Sequence, residues 1–133
     1  MSSDPSPFLA SLTVAAGGAV GAVLRYQLGR VMAGAMGPQV FPWPTLAANV
    51  LGCLAMGLLA GWLARQGGHG EGVRLLIGVG LLGGFTTFSA FGLEMVGLIQ
   101  RGAPGLAVIY AAVSVLAGLA ALYAGLIVIR AAL

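Results

Sequence analysis

Nine consecutive residues, Gly83-Gly84-Phe85-Thr86-Thr87-Phe88-Ser89-Ala90-Phe91, hold three hydroxyls and three phenyl rings inside an otherwise apolar stretch. Two successive glycines each cost a helix about 1 kcal/mol relative to alanine, and β-branched threonine is stiff at its first torsion. A helix is therefore expected to break here. The motif begins about ten residues into an apolar run that opens at Val73, which places it near mid-membrane if that run crosses a bilayer. Non-helical backbone at such depth is tolerated only where protein buries it or a cavity hydrates it. The carbonyls it frees can hold a small cation, and the N–H groups an anion. Thr86, Thr87 and Ser89 add hydroxyls, and Phe88 and Phe91, three apart, share a helix face. The competing reading is a glycine-kinked helix whose hydroxyls bond back to the preceding turn.

The elements that must carry this segment follow from the composition. The chain has 133 residues, 59% hydrophobic and 7% charged, with no lysine and a formal charge of +3. A soluble domain is about 25% charged. So few charges cannot solvate a globule this apolar, which excludes a soluble enzyme domain and a disordered chain. Nucleic-acid binding is excluded too, since it needs a dense basic patch. Four apolar runs, at about 8–33, 43–63, 73–98 and 105–130, are each long enough to span a bilayer, with short breaks between them. The expected fold is all-α: one transmembrane domain of four helices, the third broken. Trp43 and Trp62 bracket the second run as interfacial anchors. Glycine, 23 residues of the chain, falls at four-residue spacing in Gly17 and Gly21, Gly57 and Gly61, and Gly80 and Gly84, which suits close helix packing. Cys53 is the one cysteine, read as a packing residue, and His69 as a solvated loop residue. The first residues, Met1 to Pro7, lack a basic region and are not read as a cleaved signal.

Four helices bury little among themselves, so an oligomer is expected. Arg65, Arg74 and Arg130 fall at one end of the four spans, and Arg25, Arg30 and Arg101 at the other. Orientation in a membrane follows Lys/Arg asymmetry between loops, and an even split gives no instruction. Such a chain can insert both ways and pair as an antiparallel homodimer.

The segment 83–91 resembles the signature of the Fluc fluoride channels, also called CrcB proteins. Gly21-Ala-Val-Leu-Arg25-Tyr26 is similar to that family's opening motif and Thr45-Leu-Ala-Ala-Asn49-Val-Leu-Gly52 to its second-helix motif, so the resemblance covers nearly the whole chain. It implies a passive fluoride channel of a bacterial or archaeal plasma membrane: an antiparallel homodimer in the lipid bilayer, with two pores. It also implies a structural sodium ion (Na+) between the subunits, held by main-chain carbonyls of Gly83 and Thr86 from both copies. By position, the pore would use Asn49, Phe88 and Phe91, with a hydroxyl track of Thr87, Ser89, Tyr110 and Ser114. Arg25 and Glu94 match charged positions near a vestibule, paired with each other or drawing ions in. The chemistry suits fluoride, which is small and strongly hydrated. Amide and hydroxyl donors can replace its water, ring edges carry positive potential, and uncharged sites bind weakly enough to let the ion leave. Gly118, one turn beyond Ser114, continues the stripe without a hydroxyl.

Two other classes share the composition. A small proton-coupled multidrug exporter needs a membrane-embedded acid in its first helix, and the first run has none. A non-transporting assembly subunit would account for the glycines but not for the hydroxyl and phenyl cluster. No Ser-His-Asp set or His/Cys cluster suggests an enzyme.

Overall fold

The computed structural model describes residues 5–67 and 69–132; of the opening segment, residues 1–4 lie outside them. Among the described residues all regular structure is helical. Helix α1 is Pro7–Met36, α2 Trp43–Leu63, α3 residues 71–85, α4 Phe88–Gln100 and α5 Pro104–Ala132. Helices α3 and α4 are the two parts of one span, Glu71–Gln100, so four helical spans are long and apolar enough to cross a membrane. The second has the boundaries that the sequence predicts, and the other three run one to three residues further at their ends.

Local chemistry sets the helix ends. The hydroxyl of Ser6 accepts from the Leu9 N–H at 3.3 Å, and Pro7 follows at the first helical position, where its missing N–H costs nothing. Pro104 opens α5 in the same way. The turns after α1 and α4 pass through Gly37 and Gly102 at φ 68° and 79°, backbone conformations that a side chain resists.

The bundle is two tightly packed pairs, α1 on α3 and α2 on α5, with thinner contact between the pairs. In the first pair, two of the glycine pairs singled out in the sequence meet each other. A methyl on Gly21 would meet the Leu81 carbonyl and the Phe85 N–H, and one on Gly84 would meet the backbone of Gly18. In the second, Gly57 lies against the backbone of Leu122 and Gly125 against that of Leu54. Gly125 was not picked out in the sequence, because its spacing from Gly118 is seven residues rather than four.

Residues 74–82 of α3 are wound as a π-helix, a form that is rare beyond single turns and recurs at functional sites. Hydrophobic periodicity carries no signal for it. The wider winding brings the Leu76 and Leu81 carbonyls against Gly17 and Gly21. A small core of Leu46, Leu98, Ala107 and Tyr110 gathers at the end of the bundle where α2 and α5 begin and α4 finishes.

Candidate functional site

The third span breaks at Thr86 and Thr87, whose backbones are extended (φ −84°, ψ 158° and φ −152°, ψ 127°). The two threonines behave differently. Thr86 Oγ1 donates to the Leu82 carbonyl at 2.9 Å, the back-bonding of a kinked helix. Thr87 instead caps α4, its Oγ1 accepting from the Ala90 N–H at 3.2 Å. The back-bonding of the kinked-helix reading is thus found at Thr86, while Thr87 starts a new helix.

Asn49, on α2, fixes the break from outside. Its Oδ1 accepts from the Thr87 N–H at 2.8 Å and its Nδ2 donates to the Thr87 carbonyl at 3.0 Å. One amide side chain thus pairs with one residue's main chain, as a strand neighbour would. In an unbroken helix the Thr87 N–H would serve the Gly83 carbonyl, and the Ala90 N–H the Thr86 carbonyl. Asn49 and the Thr87 hydroxyl take those donors. The carbonyls of Gly83 and Thr86 lose their helical partners as a result. The Gly84 carbonyl, between them in sequence, accepts from Arg25 Nε at 3.3 Å.

Beside the break is a cavity of about 280 Å³, lined by Asn49, Gly52, Cys53, Met56, Thr86, Thr87, Phe88 and Leu122. Thr87 Oγ1 and Ser89 Oγ lie 3.4 Å apart. Phe88 is 84% exposed, and its ring centroid is 5.7 Å from that of Phe91. The aromatic chain continues from Phe91 to Tyr110 at 5.0 Å, to Phe41 at 5.3 Å and to Trp43 at 4.7 Å.

Glu94 holds a second cluster. Its Oε1 accepts from the Thr45 hydroxyl at 2.6 Å and its Oε2 from the Tyr110 hydroxyl at 2.7 Å. Tyr110 is fully buried. The expected pairing of Arg25 with Glu94 is not found: the guanidinium reaches the Gly84 carbonyl and the carboxylate is held by two hydroxyls. Among the described residues the one ion pair is Arg74–Glu71, at 2.7 Å and well outside the site. Ser114, one turn beyond Tyr110, has a buried hydroxyl with no hydrogen-bond partner, an unused donor on the predicted stripe. Gly118, on the same stripe, faces Cys53 Sγ.

The structure therefore brings Asn49, Thr87, Phe88 and Thr86 to one cavity, with Ser89 and Phe91 adjoining, and gathers Glu94, Tyr110 and Thr45 at a second place linked to the first through Phe91. Thr45 and Phe41 were assigned no part from the sequence. Thr45 had a signal: it precedes Asn49 by one helical turn, on the same face of α2. Phe41 lies in a proline-rich loop, where no periodicity could place it.

A polar, broken span inside a bundle of apolar helices defines the molecule as a multi-pass membrane protein with a built polar site. The family model described as CrcB-like protein, Camphor Resistance (CrcB), matches residues 12–126. A Novosphingobium aromaticivorans protein named fluoride-specific ion channel FluC is 59% identical over 122 residues, covering 91% of this chain and 96% of that protein. Proteins of the same name from Erythrobacter litoralis (53% identical, 93% of this chain and 94% of that protein) and Caulobacter vibrioides (52%, 90% and 94%) are also similar. The chain belongs to the CrcB family.

Proposed function

We propose that this protein is a fluoride-selective passive channel of the bacterial plasma membrane. It works as an antiparallel homodimer with two pores and a structural sodium ion between the subunits. It carries out no catalysis. The observation that carries this reading is the break at Thr86–Thr87, in a chain whose relatives bear the name fluoride-specific ion channel.

The site's chemistry supports it. Every group lining the cavity at the break is uncharged. Asn49 keeps one amide hydrogen beyond the one that holds Thr87, Thr87 and Ser89 carry hydroxyls, and the Phe88 and Phe91 rings can turn positive edges to an anion. Several weak donors in sequence bind a hydrated anion without trapping it. The orphaned Ser114 hydroxyl suits the same path.

The carbonyls of Gly83 and Thr86 fit a sodium ion. Both have lost their helical donors to competing groups, and neutral carbonyls at a helix break are suitable oxygen ligands for Na+. One protomer supplies two of them, so a second copy completes the set. A bound sodium would supply positive charge at the interface and tie the two broken helices together.

Ion efflux from liposomes containing the purified protein tests the reading. Passive fluoride efflux with chloride excluded supports it. Efflux that needs a proton gradient points to a coupled exporter, and no efflux from folded dimers refutes the channel.

A further inference from the structure

We propose that the cleft between α1 and α2 binds the phosphate of an anionic phospholipid headgroup. The cleft is a cavity of about 370 Å³ lined by Arg25, Tyr26, Gly29, Arg30, Pro44 and Thr45, with Ala33 at its edge.

Its lining offers donors and positive charge. Arg25 commits Nε to the Gly84 carbonyl, which leaves its terminal nitrogens for another acceptor. The Arg30 guanidinium carbon lies 6.0 Å from the centre of the Tyr26 ring, a contact that orients it without neutralising it. Among the described residues no carboxylate lines the cavity. Glu94 stands behind Thr45, whose hydroxyl it accepts. Arg25 and Arg30, five residues apart on α1, both line the cavity, and each guanidinium can present its forked donors to a phosphate.

The surroundings identify the source of that phosphate. On the same stretch of α1, Val23, Tyr26 and Val31 are 57%, 62% and 68% exposed. Where no second copy covers them, such side chains of a spanning helix meet acyl chains, so a ligand that reaches the mouth sideways brings a hydrocarbon tail with its phosphate. Basic pockets between transmembrane helices take anionic headgroups in this way. The proposal does not depend on what the chain conducts.

The test is native mass spectrometry of the full chain in detergent, titrated with phosphatidylglycerol, phosphatidylcholine or inorganic phosphate. Phosphatidylglycerol adducts should form at lower concentration than phosphatidylcholine adducts and survive an excess of inorganic phosphate. Arg30→Gln should weaken phosphatidylglycerol binding about fivefold, the worth of one arginine against an anionic surface. Arg30→Lys should keep most of the binding. Arg101→Gln, at the same end of the bundle but bonded to its own helix at Gly97, should leave it unchanged. Equal binding of the two lipids overturns the proposal, as does displacement by inorganic phosphate. An equal loss in Arg30→Gln and Arg101→Gln would show general attraction to anionic lipid and overturn it too. The lipid comparison on the unaltered chain decides the matter if Arg30→Gln does not fold.

Discussion

At the residue scale, the structural role of Asn49 and the pore role proposed for it separate experimentally. Its two bonds to Thr87 hold the break open, and its remaining amide hydrogen is free for an anion. Asn49→Ala removes both bonds and should destabilise the protein by about 2 kcal/mol, at about 1 kcal/mol per bond. Asn49→Asp keeps an acceptor for the Thr87 N–H but sets a carboxylate oxygen against the Thr87 carbonyl and adds negative charge to the path. Fluoride efflux from liposomes should fall by about tenfold or more, since 1.4 kcal/mol of added barrier is enough for that. Unchanged efflux in Asn49→Asp would remove this residue from the pore. Tyr110→Phe isolates the second cluster. It takes one of two hydroxyl donors from the Glu94 carboxylate, and a hydrogen bond to such a group is worth about 1.5–3 kcal/mol. The variant should unfold at lower temperature in detergent. An unchanged melting temperature would mean that Glu94 finds another donor.

At the element scale, glycine decides how closely the helices approach. Added methyls at Gly21 and Gly57 would strike backbone atoms of the facing helix, and backbone cannot rotate away. Gly21→Ala and Gly57→Ala should each cost at least the 1–3 kcal/mol typical of overpacking. Gly34→Ala, in the last turn of α1 with nothing within 4 Å, should be neutral or gain up to about 1 kcal/mol. The fraction surviving as a monodisperse species after heating separates the two groups; equal behaviour would mean that the glycines reflect composition alone. The four spans and the break were legible in the sequence because length, apolarity and a Gly-Gly-x-Thr-Thr run are local signals. Four of the five glycines at the α1–α3 contact near the break, Gly17, Gly21, Gly80 and Gly84, were legible too, through their spacing, and Gly18 was not. The π-winding of residues 74–82 was not, since it answers to the backbone of α1 and not to its own periodicity. Nor was the preference of Arg25 for the Gly84 carbonyl over Glu94. Position along their helices puts Arg25 and Glu94 near one level but says nothing about the direction of a side chain, and Thr45 and Tyr110 already occupy the carboxylate.

At the scale of the whole molecule, the surface points beyond one chain. The accessible area is 8093 Å², against about 6,400 Å² for a compact monomer of this mass. The six core side chains that are fully or nearly buried leave most apolar surface to lipid or to a second copy. The exposure of Phe88 and the unpartnered carbonyls at Gly83 and Thr86 favour a copy on that face. If sodium joins the two break regions, exchanging it for a large organic cation should shift the dimer toward monomer in detergent, as loss of a ligand that binds only the assembled state must. An antiparallel pair also requires both orientations in the membrane. The Arg65 guanidinium reaches the Arg130 carbonyl at 3.0 Å, which fixes those two arginines at one end, and span order puts Arg74 with them. Arg25, Arg30 and Arg101 fall at the other end, so loop charge favours neither orientation. His69, exposed between α2 and α3, reports on this. In a Cys53→Ser background, a single cysteine from His69→Cys should react with an impermeant maleimide in about half of the molecules in intact spheroplasts, as an unbiased chain requires. The remainder should react only after the membrane is permeabilised. Adding two lysines beside His69 should drive the labelled fraction toward zero by drawing that loop inside, and efflux should fall with it as matched pairs become rare. Complete labelling, or none, in the unbiased chain would rule out the antiparallel assembly.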